Sequence, residues 1–574
     1  MIERARKLRI AIYAAWYVPP RRLARHVRRR LYGLIVPLQA SRFRATLLRR
    51  AEALSPVSTT RSTAAKAAAA QVATFFAAKH EKNVPQCYDG RFTLLNKTHD
   101  FGSPGAVDWR IDMDGGSYQL WRANLSFMGY LCPAMAHDPA RGLTLAATFA
   151  DSFTAISDFT RSGDFGDIWN SYPVAQRILT LSAGLMALPE SLVGTPEWHR
   201  VDQFLRLNVA YLIANMETEL GYNHLERNLS ALALYSLAVG AVPRVIEQRL
   251  TANIDHILAE TIGDDGVQQE RSAMYQGLVV QSLRVLSALD IWSPARRAML
   301  DRRLAAVEEA LAALTLGDDM PMMMNDAFFG ETPRTSVILG REARPGFRAM
   351  TDAGYVRLAA GPAEMVFDAG PIGPDANPGH GHPDFLSIEM SLGAKRLIVD
   401  PGTSSYSPKD GRKQDRTWDR HNGPSIAGAE PVDFLGSFKV GRRARARLES
   451  AGEDERGQRA TGSLSFGAVT VRRTLALTPD RLTIEDEWRS GEGDRLSRFL
   501  IPDGWSVAEG EGGTQLLLSS GDRQVRWSVS RGSLSRAQES WTCHYNQTSA
   551  AHALIVRPDD SGRASIGIDW LLTA

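Results

Sequence analysis

Cysteine is nearly missing from this chain. Cys87, Cys132 and Cys543 are odd in number and far apart in 574 residues, so neither a disulfide framework nor a cysteine zinc site is expected. An excess of one charge is missing too. Lys and Arg total 67 against 64 Asp and Glu, leaving +3 at pH 7, and so balanced a chain gives no reason to expect a nucleic-acid partner. No long hydrophobic run offers a bilayer span. The apolar stretch over residues 10–18 is too short and stops at Pro19-Pro20. It resembles the middle of a signal peptide, but more arginines follow and no small-residue cleavage site appears.

What is present divides into three textures. Residues 1–55 form a basic extension whose first fifty residues set many arginines against one acid, Glu3. Such a segment is read first as a solvated extension folded against the main body. A peripheral contact with an anionic membrane, or with a partner, is the alternative. Residues 56–335 are read as one helical domain, in which from about Asp138 to Leu316 apolar residues recur at three-to-four spacing, as in VDQFLRLNVAYLIANMETEL and NLSALALYSLAVG, with Gly, Pro or Asp between the runs. This pattern predicts consecutive antiparallel helices with short connections. From 336 to 574 strand-like alternation with Gly/Pro/Asp turns takes over, as in TGSLSFGAVTVRRTLALT, which predicts antiparallel sheets stacked as a β-sandwich.

The densest chemistry lies in residues 368–425. His380-Gly381-His382 occupies a Gly/Pro-rich loop before a strand-like alternation. A second strand delivers Asp400 just before Pro401-Gly402, and His421-Asn422 follows. Two imidazoles and a carboxylate at strand or loop ends suit zinc, and a remaining histidine beside it can move protons near neutral pH. The bland alternative is a hairpin with scattered polar residues.

The order DAGP, GHGHPD, LIVDPGT and RHN resembles the second half of the heparinase II/III family, polysaccharide lyases with alginate-lyase relatives. Upstream, Asp108-Trp109 and the segment from Trp121 to Leu125 resemble that family's entry segment, where aromatic and polar residues wall the sugar cleft. The resemblance implies an α/α toroid followed by a β-sandwich. It also implies an acidic polysaccharide as partner, and a periplasmic or cell-envelope setting in preference to the cytoplasm.

By the same resemblance Asn223, His224 and Asn228 match a recurring Asn-His and further Asn, with Asn223 also suited to cap a helix. Tyr275 matches the catalytic tyrosine, although Gln276 replaces the usual histidine after it. His382, Asp400 and His421 match ligands of a zinc ion read as mainly structural, and Gly423 stands where a threonine is more usual. Arg177, in a WxxYPVxxR helix, and Trp121 complete the candidates for substrate contact; packing roles are the alternative for both.

The expected reaction is β-elimination at a uronate. Asn223 and His224 would neutralise the sugar carboxylate, Tyr275 would protonate the leaving oxygen, and His380 or the tyrosinate would take the ring proton. Two alternatives stand beside it. One is an inverting glycoside hydrolase using carboxylates among Glu226, Asp264, Asp265 and Glu270. The other is a non-catalytic glycan-binding or scaffold protein of an exopolysaccharide system.

Overall fold

The structure is a computed structural model describing residues 2–115, 119–342, 344–407, 410–510 and 513–571. An α/α toroid comes first and antiparallel β-sheets follow. The helices begin where the sequence places caps. Ser62, Asp138, Asn170, Thr195, Ser272 and Ser293 each accept a backbone N–H of the first turn, and proline follows three of them at once. Ser171–Ala187, Tyr222–Val239 and Ala273–Ser287 are buried almost all round. They pack side by side, the first two and then the last two, as an inner layer. Pro139–Ile156 and Pro196–Asn215 cover them from outside with one buried face each. Gly221, at φ 65°, caps Tyr222–Val239 in place of Asn223, whose side chain is engaged elsewhere.

The basic extension is helical. Helix α1 (Ile2–Trp16) lies on the hairpin of Val432–Leu435 and Lys439–Arg443, burying Ile10, while Arg6 pairs with Glu430 at 3.1 Å. Helix α2 (Pro20–Ile35) runs on to the toroid. There Arg22 covers the Tyr222 ring, Arg25 donates to the Thr218 carbonyl, and Arg29 meets Glu217 at 3.3 Å and Glu219 at 2.8 Å.

Beyond Leu339 the chain becomes sheet. A five-stranded antiparallel sheet over residues 348–398 shares one apolar core with an eight-stranded sheet, through residues such as Val356, Phe367, Leu475 and Trp527. A four-stranded sheet borders them, with Phe499 edge-on to Trp527 at 5.0 Å. This is the sandwich that the alternation predicts.

One seam joins toroid to sandwich. Arg271, at φ 62°, sends its guanidinium to buried Asp368 at 2.6 Å, and its carbonyl accepts from Tyr355 Oη at 2.8 Å. Next to it Ser272 Oγ donates to the Asp326 carbonyl at 2.6 Å. The first turn of the Tyr275 helix is therefore fastened directly to the sheet domain, and that fastening sets the geometry of the site.

Candidate active site

Asn223, His224 and Tyr275 from the toroid meet His380 and Tyr406 from the sandwich around one cleft of about 350 Å³. Phe127, Asn170, Tyr172 and Glu331 complete much of its wall. Each functional side chain is held by a specific partner.

Asn223 gives its amide to Glu270 Oε2 at 2.6 Å, and its backbone N–H reaches the same oxygen at 3.1 Å. One Nδ2 hydrogen is thereby committed, and the second amide hydrogen and the carbonyl oxygen remain for a ligand in the cleft. His224 Nδ1 donates to Glu217 Oε2 at 2.9 Å. Burial works to lower the His224 pKa, but the charge and hydrogen bond of Glu217 outweigh it, and the net shift is upward. Glu217 in turn is held below the usual carboxylate range: burial opposes this, and His224 and Arg29 prevail. Glu217 thus favours the protonated form of an imidazole that faces the cleft, and α2 supports the pair from behind.

Tyr275 lies with its hydroxyl 3.2 Å from Tyr406 Oη and 3.4 Å from His380 Nδ1. Burial raises its pKa well above 10, and Tyr406 and Asp326 add to the rise. It is therefore a neutral phenol, able to donate a proton.

His380 is oriented by Asp326. Nδ1 stands 2.8 Å from Asp326 Oδ2, and the other oxygen, Oδ1, accepts from His382 Nε2 at 2.8 Å. Arg412 closes the group with both its terminal nitrogens on Asp326, NH2 at 2.8 Å. Burial pushes the Asp326 pKa up, yet Arg412 and the two imidazoles drive it well below its ordinary value. An ionised Asp326 can only accept, so His380 carries its hydrogen on Nδ1 and presents a bare Nε2. Glu270 Oε1, buried and without a hydrogen-bond partner, lies 3.8 Å from that nitrogen. A proton taken up at Nε2 would meet this carboxylate.

Below this layer His382 and His421 are neighbours, ring centroids 5.6 Å apart. Asp400 Oδ2 accepts from His421 Nδ1 at 2.8 Å. Burial first, then Arg412, takes the His382 pKa down to about 3, so it is neutral. Among the described residues no three His, Cys, Asp or Glu side chains converge as an ion site. The donors nevertheless suit one. His382 Nδ1 and His421 Nε2 are buried and without hydrogen-bond partners, and because the opposite nitrogen of each donates to a carboxylate, each neutral ring would offer that nitrogen's lone pair to an ion. Leaving two such groups unsatisfied costs about 1–3 kcal/mol each.

Three residues expected at the substrate lie elsewhere. Arg177 is wholly buried, donates to Asn208 Oδ1 and the Ser126 carbonyl at 2.9 Å each, and sits over the Phe153 and Trp169 rings. Asn228 accepts from Glu217 N at 2.9 Å and so holds the loop that carries Glu217. Trp121 is buried with Nε1 on the Lys97 carbonyl at 3.0 Å. None of the three lines the cleft, because each is packed into the body of the toroid behind it. The hydrolase carboxylates fare similarly. Asp264 pairs with Arg303 at 2.7 Å and Asp265 accepts from Ala353 N, both outside the cleft, while Glu226 is buried on Thr261 and pushed up to about 8 by burial.

Both departures from the motif have local reasons. Gln276 is buried, accepting from Gln268 N and donating to the Gly266 and Val307 carbonyls, so it braces the loop before the tyrosine without touching the cleft. A Cβ on Gly423 would stand 2.5 Å from the Phe385 carbonyl oxygen, and glycine is what this packing admits.

Comparison with known proteins agrees with this architecture. Residues 342–569 match the family model described as Heparinase II/III-like, C-terminal, so the sandwich part of the chain is a heparinase II/III-like domain. Among solved structures, heparinase III is similar at 15% identity and TM-score 0.64, over 92% of this chain and 88% of that one. The heparinase III-BT4657 gene product follows at 15% and 0.58 over the same shares. The heparan sulfate lyase HepC from Pedobacter heparinus is similar at 14% and 0.53, again over 92% and 88%. No curated protein is matched by sequence.

Proposed function

We propose that this chain is a polysaccharide lyase that cleaves a uronate-containing acidic polysaccharide by β-elimination. The observation that carries the reading is the meeting of a neutral phenol, Tyr275, and an imidazole with a bare Nε2, His380, at one sugar-sized cleft beside His224, whose protonated form Glu217 favours. The solved neighbours, named as lyases or heparinases, support it by fold.

Elimination is difficult because the proton to be removed lies beside a carboxylate, where a second negative charge must develop. His224, in the protonated form that Glu217 favours, offsets that charge. Asn223, with one Nδ2 hydrogen held by Glu270, donates the second to the sugar carboxylate. His380 Nε2 takes the proton from the carbon next to the carboxylate, and Asp326 and Glu270 stabilise the imidazolium that results. The C–H electron pair forms the new double bond as the glycosidic C–O bond breaks. Tyr275 gives its proton to the departing oxygen and is reprotonated afterwards through Tyr406 or water.

Incubation with a panel of acidic polysaccharides is expected to give products with new near-ultraviolet absorbance and masses showing that no water has been added. Products that have gained water would point to hydrolysis, and tight binding without products to a glycan-binding protein. The pH profile carries a further signature. His224 holds its proton more tightly than a free imidazole near 6.5. Its contribution to binding, and to stability, is present below that value and lost as pH rises through the raised pKa. KM is therefore expected to climb on the alkaline side, and in Glu217→Gln that climb is expected to begin at lower pH.

Zinc belongs to the same proposal as a structural ion. His382 and His421 would hold it through their bare nitrogens, with Asp400 alongside supplying negative charge. When bound, the ion would tie the loop of His380 to the strand ends beneath it. Metal analysis of the purified chain is expected to find about one zinc per molecule, and chelation to lower Tm by several degrees through loss of linked binding energy. A metal-free protein with a Tm indifferent to zinc would refute this part alone.

A further inference from the structure

The outer faces of α1 and α2 are absorbed neither by the fold nor by the cleft. Among the described residues thirteen large hydrophobic side chains are exposed, and eleven of them lie within residues 8–38. Their spacing is regular. Leu23, Val27, Leu31, Leu34 and Leu38 form one stripe at helical intervals, with Trp16 of α1 83% exposed nearby in sequence. The inner face is engaged with the body: Arg22, Arg25 and Arg29 are fastened to the toroid and Ile10 to the hairpin. The stripe therefore points outward because the protein body already occupies the opposite side.

Charge identifies what can cover it. Residues 1–50 hold fourteen Arg and Lys against Glu3 alone, a net of +13; with +3 for the whole chain, the remaining 524 residues carry −10. Arg21, Arg28 and Arg30 are exposed on the same helix as the stripe. We propose that α1 and α2 form a membrane-binding platform that seats this chain on an anionic lipid surface, with Leu23, Val27, Leu31 and Leu34 entering the acyl boundary and the flanking arginines at the headgroups. A basic face beside an apolar stripe is the composition of an interfacial helix. A second copy would bring +13 against +13, so self-association through this face is opposed by like charge. An acidic polysaccharide would satisfy the arginines and leave the leucines in water. The acidic remainder of the molecule is repelled by such a surface, which favours one orientation.

The test uses the full-length chain with vesicles of phosphatidylcholine alone and with about a third phosphatidylglycerol. Cosedimentation is expected with the anionic vesicles, with a blue shift of tryptophan fluorescence. Leu31→Asp with Leu34→Asp is expected to lower partitioning at least tenfold, and Val245→Asp, at an exposed apolar site away from the platform, to leave it unchanged. Circular dichroism and Tm check that the double variant is folded; should it unfold, Arg28→Glu with Arg30→Glu serves in its place. No binding to anionic vesicles, binding indifferent to both double variants, a dimer in solution abolished by them, or retention on an acidic polysaccharide but not on vesicles would each overturn the proposal. Polysaccharide cleavage in solution is expected to be unchanged in these variants, so this test stands apart from that of the proposed reaction.

Discussion

Tyr275→Phe is expected to lower kcat about 1000-fold, within the range that a positioned acid or base contributes, while KM and Tm barely move. Phenylalanine keeps the ring that packs beside His380, with centroids 4.7 Å apart. Only the hydroxyl is lost. Its removal leaves the departing glycosidic oxygen without a donor, and leaves Tyr406 Oη without its 3.2 Å neighbour. Because the phenol is held neutral by burial and by Tyr406, the wild-type enzyme needs no alkaline pH to keep the donor protonated. Turnover is measured from the unsaturated product on whichever polysaccharide is cleaved. A Tyr275→Phe protein with kcat within threefold of wild type would remove the phenol from the mechanism.

Asp326→Asn should damage two properties at once. The side chain is fully buried and serves His380, His382, Thr403 and Arg412 together. An amide of the same shape cannot accept from all of them, and it leaves the Arg412 cation buried without a counter-charge. Breaking such a pair costs about 3–5 kcal/mol, which corresponds to a Tm loss on the order of 10 °C. Activity is expected to fall about 100-fold or more, because His380 is no longer fixed with its hydrogen on Nδ1. Adding Arg412→Gln separates the two effects. Removing the stranded cation is expected to restore much of the lost Tm while turnover stays low. Recovery of both together would mean that Asp326 acts only through stability.

The candidate site was partly legible before any coordinates. Asn223, His224, Tyr275 and His380 announce themselves as polar residues in short clusters beside Gly-rich turns or at helix starts, and all four reach the cleft. Glu217, Tyr406 and Arg412 carry no such mark. Asp326 had a signal that went unread. In MPMMMNDAFF an Asn-Asp pair interrupts an apolar run, and a carboxylate so enclosed must be buried and therefore paired. In the opposite direction, Arg177, Asn228 and Trp121 have the right chemical types for sugar binding, yet they are spent on contacts between helices.

From its sequence alone this chain had to be helices followed by sheets. Period 3.6 and period 2 are local properties, and the caps Ser62, Asp138, Thr195 and Ser293 mark helix starts within a few residues of themselves. The outward amphipathic stripe of α2 is equally local. Which groups share the cleft was decided only in three dimensions. Tyr275 and His380 are 105 residues apart, and they meet because Arg271 fastens one helix start to Asp368 of the following domain and Ser272 fastens it to Asp326, which itself holds His380. A pairing of that kind depends on burial and on the competition of partners for each polar atom, neither of which any window of sequence contains.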